Sequence, residues 1–404
     1  MSRDNRKKDG DEADTRQDTR VVNAGRDPFS YYGFVNPPVY HASTVLYPSA
    51  EDFNARRAPY SYGRRGTPTT EALEVALQEL EGPSCAGVSL LPSGLAAISA
   101  ALLSVVKAGD HVLVSDSVYG PTRMFCDRIL SRFNVTVSYY DPQLGASIAG
   151  LMRENTSAVF TEAPGSLSFE MQDIPAIAAA AHAKGAVVLM DNTWATPLYF
   201  RALDAGVDLV IHAGTKYFSG HADVSIGSVA ANKDTVAGLK NFVGTNGLCV
   251  GPDDVYLALR GVRTLAVRLD RHYRSGLTVA RWLEQRPEIL RLLHPALPSD
   301  PGHDIWKRDF AGACGLFSVV FKPVPQRAVY AFLDALELFG IGASWGGFES
   351  LAIPFDCTNL RTATPWEPGG PTVRLHVGLE AVEDLIADLE RGFAALADAA
   401  GSAD

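Results

Sequence analysis

From residue 69 onward, the sequence alternates between short apolar runs and stretches in which apolar residues have helical spacing. That spacing predicts amphipathic helices over Thr69–Glu81 and Gly94–Val106, and further helices near 121–132 and at 173–184. The intervening runs of apolar, mainly β-branched residues predict buried strands at His111–Ser115, Val135–Tyr139, Ala158–Thr161, Ala186–Met190, Asp208–His212 and Ser225–Ala230. Strands that alternate with helices in this way form a mostly parallel sheet with helices on both faces.

The pattern changes after residue 250. A long helix is predicted over 254–285, followed by sequence interrupted by Pro and Gly at 296–303. Strands at Leu316–Phe321 and Thr372–Val377 and a closing helix at Val382–Leu396 predict a smaller unit. We therefore expect an α/β fold with a larger domain at 69–260 and a smaller α+β C-terminal domain at 261–398.

The first 68 residues lack this regularity. Residues 1–20 are mostly charged and nearly devoid of apolar side chains, so they cannot bury enough surface to offset the entropy of ordering. We predict a disordered tail there. Residues 21–68 are rich in Pro, Tyr and Arg with little periodicity, which predicts an extended arm that lies against a neighbouring subunit.

Composition narrows the class of protein. The chain has 404 residues, of which 47% are hydrophobic, and a formal net charge of −10, which argues against wrapping of nucleic acid. It has no apolar run of about 18 residues for a membrane span and no secretory signal at its N-terminus. Its five scattered cysteines include no CxxC pair, which predicts buried reduced thiols rather than disulfides or a metal site. These features favour a cytoplasmic enzyme.

Two predicted strand ends carry residues that suggest catalytic chemistry. One strand ends in Asp191, and the next is followed by Lys216, 25 residues further on. The carboxyl ends of neighbouring parallel strands meet at one edge, where such sheets bind ligands. A lysine there can form a Schiff base, and a carboxylate can keep a pyridine nitrogen protonated. A Ser93-Gly94 turn before a helix offers free N–H groups to a phosphate, so the three features together predict a pyridoxal 5'-phosphate (PLP) site.

Several short runs strengthen this interpretation. The sequence resembles the Cys/Met-metabolism family of PLP-dependent enzymes over about residues 20–398, at the runs that begin with Pro92, Met190, Ala213, Arg260 and Val373. Other runs resemble the branch of bacterial cystathionine β-lyases, namely those that begin with Glu162, His294, Trp306 and Ser344. The resemblance implies the aminotransferase-like type I fold. Many family members have serine where Ala213 stands, so one hydroxyl contact to the phosphate is missing here, as the lyase branch tolerates.

Carried onto this sequence, the resemblance implies roles for three catalytic residues. Lys216 binds the cofactor and later moves the proton from the substrate Cα. Asp191 pairs with the pyridinium nitrogen. Tyr119 stacks on the ring and assists the exchange of amines, although from the sequence alone it is also compatible with a half-buried core aromatic.

The resemblance also implies which residues bind the phosphate of the cofactor. Backbone N–H groups of Gly94 and Leu95 bind it, with the hydroxyl of Thr215 beside them. Tyr62 and Arg64 reach the phosphate of the adjacent subunit, so the protein is at least a homodimer and, as the family implies, a homotetramer with shared active sites. Without the resemblance, Tyr62 and Arg64 carry no specific signal in their Tyr- and Arg-rich arm.

The resemblance also implies which residues bind the substrate. Arg374 binds the substrate α-carboxylate, and Ser344 and Trp345 border that carboxylate and the pocket. Arginine in a predicted strand needs a partner, because an unpaired buried charge is costly. His212 and His376 also lie in predicted strands and are expected to support the site rather than to catalyse.

The activity implied is β-elimination from a small amino-acid thioether. With L-cystathionine the products are homocysteine, pyruvate and ammonia, a transsulfuration step of methionine biosynthesis. Alternatives within the same chemistry are a cystathionine or methionine γ-lyase, a γ-synthase, or a cysteine-S-conjugate β-lyase of specialised metabolism. Trp345 favours β-elimination, because γ-acting relatives more often have a smaller aliphatic residue there. A PLP-binding regulatory protein is a further alternative.

Overall fold

The computed structural model describes residues 15–401, and its centre is a seven-stranded sheet. The strand order is β1-β7-β6-β5-β4-β2-β3. The strands are β1 (Gly87–Leu91), β2 (His111–Ser115), β3 (Thr136–Tyr140), β4 (Thr156–Glu162), β5 (Val187–Asp191), β6 (Leu209–His212) and β7 (Gly227–Ala231). Strands β2 to β6 are mutually parallel, whereas β7 runs antiparallel to both of its neighbours.

The sheet is mostly parallel, as predicted, and both of its faces are covered by helices. Successive residues of β5 show this: Val188 and Met190 belong to one hydrophobic cluster and Leu189 to the cluster on the opposite face. Such strands read as continuous apolar runs. Strand β1 was not predicted.

Helices cover the two faces of this sheet and connect its strands, and further helices follow in the C-terminal part of the chain. They are α1 (Gln17–Asn23), α2 (Ala50–Ala55), α3 (Pro68–Glu81), α4 (Gly94–Val105), α5 (Gly120–Arg128), α6 (Ile174–His182), α7 (Thr196–Tyr199), α8 (Val236–Thr245), α9 (Pro252–Val262), α10 (Leu265–Glu284), α11 (His303–Asp309), α12 (Gln326–Asp334) and α13 (Val382–Gly401). Short 3-10 helices lie at Pro28–Tyr31, Gly63–Arg65, Leu130–Phe133, Gly145–Leu151 and Thr358–Leu360. No helix within 15–401 is long and apolar enough to cross a membrane.

A second, smaller sheet follows. Its four strands are antiparallel in the order β10-β11-β9-β8. They are β8 (Ile289–Leu293), β9 (Leu316–Phe321), β10 (Leu351–Phe355) and β11 (Thr372–His376). Helices α12 and α13 and the end of α10 pack on it around a separate core that includes Phe321, Phe332 and Phe393. The sequence predicted β9 and β11 but not β8, β10 or α12.

Four expectations need correction. Part of the predicted tail is ordered: residues 1–14 lie outside the described residues, but Gln17–Asn23 form α1, which buries Val21. The helix predicted over 254–285 is two helices, α9 and α10; near the break the Gly261 carbonyl accepts from Thr264 N at 3.1 Å and from the buried Arg268 guanidinium at 2.8 Å. The predicted boundary at 260 falls inside α9. Finally, Cys249 is exposed, whereas the other four cysteines are buried.

Candidate active site

Two neighbouring strands bring the predicted acid and lysine to one edge of the large sheet. Asp191 is the last residue of β5 and lies opposite Ile211 of β6. Lys216 follows β6 after a three-residue turn that begins at Ala213. Because β5 and β6 are parallel, both residues lie at the carboxyl edge, where open α/β sheets bind ligands.

Asp191 is buried and held in one orientation. Only 8% of the Asp191 surface is exposed to solvent. Its Oδ1 accepts hydrogen bonds from Thr193 N at 3.0 Å and from Thr193 Oγ1 at 2.5 Å. Thr193 Oγ1 in turn accepts from Ala213 N at 2.9 Å, which ties Asp191 to the lysine turn. Burial raises the pKa of Asp191, while the Thr193 hydrogen bonds, His212 and Lys216 act in the opposite direction.

Lys216 lies under a loop of the C-terminal domain. Its Nζ donates a hydrogen bond to Ser344 Oγ at 2.7 Å and lies 5.4 Å from the centre of the Trp345 ring. Burial, and then the charge of Arg374, lower the pKa of Lys216 to about 8, against the pull of Asp191. A substantial fraction of the amine is therefore neutral near pH 8, the form that acts as a nucleophile or base.

Arg374 comes from the small sheet and faces the same space. It lies in the middle of β11 and is buried, and its Nη2 donates to the carbonyls of Ser344 at 2.8 Å and Gly342 at 3.4 Å. Its Nε has no hydrogen-bond partner among residues 15–401. Burial lowers the pKa of Arg374 to about 10, so the guanidinium stays charged at neutral pH. An unfilled donor on a buried cation suits a carboxylate.

A helix start supplies the anion cradle. Ser93 caps α4, its hydroxyl accepting from Ala96 N at 3.1 Å, which leaves the amides of Gly94 and Leu95 as the first in the helix. A side chain at Gly94 would approach the Ala213 Cβ to 2.6 Å, so only glycine permits this close approach of the two turns. The Thr215 hydroxyl donates to Ile226 O at 3.2 Å and accepts from Ile226 N at 3.0 Å, and its contact with the phosphate stays a prediction.

Tyr119 stands at the carboxyl end of a third strand. It precedes α5, and 44% of the residue is exposed, so its ring is open to a ligand. Its backbone N–H donates to Glu162 Oε2 at 2.8 Å. Glu162 ends β4 opposite Asp191, and burial together with the Asp191 charge raises its pKa well above the ordinary value.

Tyr62 and Arg64 do not join this group within one chain. Tyr62 is 45% exposed in the arm, and Arg64 Nη1 donates to Gly244 O at 2.8 Å, at the end of α8. None of the hydrogen bonds described for residues 15–401 links either side chain to Lys216 or Asp191. Their role remains a prediction that requires a second chain.

Sequence reasoning missed the residues that orient the site. Thr193 fixes Asp191, Glu162 holds the Tyr119 backbone, and a buried pair of Glu81 and His212 joins Oε1 to Nε2 at 2.6 Å behind the sheet edge. A polar residue two positions after a strand-end acid was the available signal for Thr193, since Asx-type turns use that spacing. Nothing in the sequence pairs Glu81 with His212, because the two residues are distant in the chain.

The side chains present fit PLP. Lys216 can hold its aldehyde carbon, Asp191 its ring nitrogen, and the first amides of α4 its phosphate, while the Gly94–Ala213 contact keeps side chains out of the cradle. The fit to PLP rests on the combined chemistry of the amine, the carboxylate and the helix amides rather than on any one residue.

Comparisons with known proteins agree. The family model described as Cys/Met metabolism PLP-dependent enzyme matches residues 18–394. The chain is 58% identical to a putative cystathionine beta-lyase of Rhizobium johnstonii, covering 93% of this chain and 96% of that one. It is 43% identical to the cystathionine beta-lyase MetC of Escherichia coli, covering 95% and 99%. The crystal structure of metB from Corynebacterium glutamicum superposes with a TM-score of 0.87 at 31% identity, covering 95% and 99%.

These matches confirm the predicted fold class and cofactor. The family model spans both sheets and every residue of the candidate site. The chain belongs to the Cys/Met-metabolism family of PLP-dependent enzymes.

Proposed function

We propose that this chain cleaves the carbon–sulfur bond of L-cystathionine by β-elimination, releasing homocysteine, pyruvate and ammonia. The predicted class, a PLP-dependent carbon–sulfur lyase, is supported by the likeness to cystathionine beta-lyases. The observation that carries the proposal is the contact of Lys216 Nζ with Ser344, under Trp345 and beside Arg374. This arrangement brings together Lys216 as the base, Arg374 as a hydrogen-bond donor to the substrate carboxylate, and Trp345 as a bulky wall of the pocket.

Each residue has a defined task in this reaction. When bound, PLP stabilises negative charge that develops at the substrate Cα. Arg374 binds the α-carboxylate, and Lys216 Nζ takes the Cα proton. Asp191, fixed by Thr193, would pair with the ring nitrogen and keep it protonated. The Tyr119 ring, which is 44% exposed, would stack on the ring of the bound cofactor.

A substrate panel tests the proposal. Purified enzyme is assayed with L-cystathionine, L-cystine, L-methionine and an O-acylhomoserine, and the keto acid released is identified. We expect pyruvate, with cystathionine giving the highest kcat/KM. Release of 2-oxobutyrate would contradict β-elimination and favour a γ-lyase, and a preference for cystine would favour a cysteine-conjugate lyase. PLP binding without turnover would favour a regulatory protein.

The pKa of Lys216 predicts how cofactor capture depends on pH. Capture by the apoenzyme requires the neutral amine, and burial lowers the pKa of Lys216 to about 8. The capture rate should therefore rise about tenfold per pH unit below that value and level off above it. Stopped-flow absorbance on adding PLP measures this rate. A rate that keeps rising to pH 10 would show that the lysine keeps its ordinary pKa and would contradict the predicted effect of burial.

We further infer that the protein works in the cytoplasm as an assembly, at least a dimer, with shared sites. Support comes from the arm, where large apolar side chains face solvent in the single chain. Phe29, Tyr32, Phe34, Leu46 and Phe53 are each at least 67% exposed. Large apolar side chains that are exposed together in one segment are typical of an interface.

Shared sites predict complementation between variants. Arg64→Ala should weaken PLP retention, because Arg64 then no longer reaches the partner's phosphate. Mixing this variant with Lys216→Ala should restore part of the activity, since a hybrid dimer contains one site with both residues intact. Pyruvate release is measured after mixing and dilution from mild denaturant. Hybrids without activity would show that each chain completes its own site.

A further inference from the structure

A loop of the C-terminal domain, residues 342–347, lies directly on the lysine turn. We call it the lysine cover loop. A side chain at Gly346, where φ is +81°, would approach the Lys216 Cβ and Cα to 3.0 and 3.1 Å, so the loop backbone touches Lys216. Ser344 and Trp345, which contact the Lys216 amine, belong to this loop. The position of the loop therefore decides where the Lys216 Nζ points.

Two side chains of one strand hold the lysine cover loop. Arg374 and His376 are two residues apart in β11, so they project from the same face. Arg374 donates to the carbonyls of Gly342 and Ser344, in the first half of the loop. His376 contacts the second half: its Nε2 accepts from Gly346 N at 3.0 Å and lies 3.2 Å from Gly347 O.

The surroundings of His376 favour a lasting hydrogen bond to the lysine cover loop. It is fully buried and packs against His272, with ring centres 5.2 Å apart, and against Tyr217 at 6.3 Å. Burial and the nearby His272, Arg374 and Lys216 lower its pKa well below the ordinary value, so the ring is neutral and Nε2 keeps an acceptor lone pair. His376 makes no described contact with Lys216 Nζ or with the opening of the site.

We propose that His376 is a positioning residue that keeps the lysine cover loop seated on Lys216 while Arg374 binds substrate. During the reaction Arg374 has two partners, because the guanidinium that bonds the loop must also bind the substrate α-carboxylate; this step rests on the proposed function. The His376 contact does not compete with substrate. It preserves the hydrogen bond of Ser344 to Lys216 and the place of Trp345 throughout turnover.

Paired substitutions test this role. In His376→Gln the terminal amide reaches as far as Nε2 and can accept from Gly346 N, whereas in His376→Asn the shorter amide cannot. The control is His272→Asn, since His272 is equally buried beside His376 but bonds Val377 O through Nδ1, at 2.9 Å, and not the loop. All three variants remain polar, and their melting temperatures identify any general loss of folding.

The primary readout is hydrogen–deuterium exchange of the PLP-loaded enzyme over residues 342–348, which does not depend on turnover. In the wild type, the Gly346 amide should exchange at least about tenfold more slowly than that of Ala343, because it is bonded to a buried acceptor. We expect His376→Asn to speed exchange at Gly346 about tenfold and to lower kcat by a similar factor. His376→Gln and His272→Asn should each stay within about threefold of the wild type in both measurements.

Two results would overturn the proposal. One is an unprotected Gly346 amide in the wild type, which stands as a test even when the His376→Asn variant does not fold. The other is equal damage by the Gln and Asn substitutions, which would indicate a packing role alone. Failure of the proposed function is distinguishable, because the wild type would then release no pyruvate while its exchange pattern stayed as expected.

Discussion

Replacing Lys216 with alanine is expected to lower kcat for pyruvate release by about 10²–10⁴-fold or more, the range found when a positioned proton-transfer group is removed. The reason is that one amine performs two tasks, holding PLP and taking the Cα proton. No other lysine or histidine contacts Ser344 Oγ among residues 15–401. The measurements are single-turnover pyruvate release and the visible absorbance of the bound cofactor.

The control for this variant is Lys322→Ala, because Lys322 is exposed just after β9, away from the site. It should retain full activity. Addition of methylamine to Lys216→Ala should restore part of the rate, which would show that an amine was lost rather than local packing. A Lys216→Ala enzyme with a rate within about tenfold of the wild type would contradict the role of Lys216 as the base.

Replacing Asp191 with asparagine should lower kcat by about 10²–10³-fold, comparable with the loss of one preorganised electrostatic partner. Asparagine keeps the shape, and its Oδ1 still accepts from Thr193 N, so the change removes charge rather than geometry. Because burial raises the pKa of Asp191, the charge is costly to the fold. The apoenzyme should therefore melt at the same or a higher temperature, whereas kcat and the cofactor spectrum change.

The matched control is Asp208→Asn at the opposite end of the same strand pair. Asp208 is buried and accepts from Val188 N at 2.7 Å and from Asn232 Nδ2 at 2.7 Å. Its loss should lower the melting temperature without lowering kcat per folded molecule. A large loss of kcat in Asp208→Asn, or none in Asp191→Asn, would refute the assignment of the charge to the ring nitrogen.

Local patterns predicted the elements of the large sheet well. The strand His111–Ser115 has the predicted bounds, and helix α3 begins one residue before its predicted start, at Pro68. Both are long or strongly apolar, so burial on one or two faces leaves a clear period in the sequence. Strand β1 was missed because Gly87–Leu91 is short, includes Gly87 and Ser89, and directly follows a turn. Strand β8 was missed because Arg291, exposed in its middle, interrupts the apolar run.

The candidate site was predictable to a smaller extent. Asp191 and Lys216 follow predicted parallel strands, and the geometry of such sheets brings strand ends together. Thr215 shows the limit: its hydroxyl is bonded to Ile226, a backbone partner 11 residues away that no local pattern identifies. The same holds for Arg374, whose partners Gly342 and Ser344 lie on a loop without periodicity.

The sequence by itself determined the alternation of strands and helices, the edge at which the acid and the lysine meet, and, through short motifs, the family and its cofactor. These follow from periodicity and residue type, which act over a few residues. Only the tertiary structure decided the properties of the site: the burial that lowers the pKa of Lys216 to about 8, and the seating of residues 342–347 on the lysine turn by Arg374 and His376. The contacts join residues 30 and 128 positions apart in the chain, and the energies that select one arrangement exist only when those segments pack together.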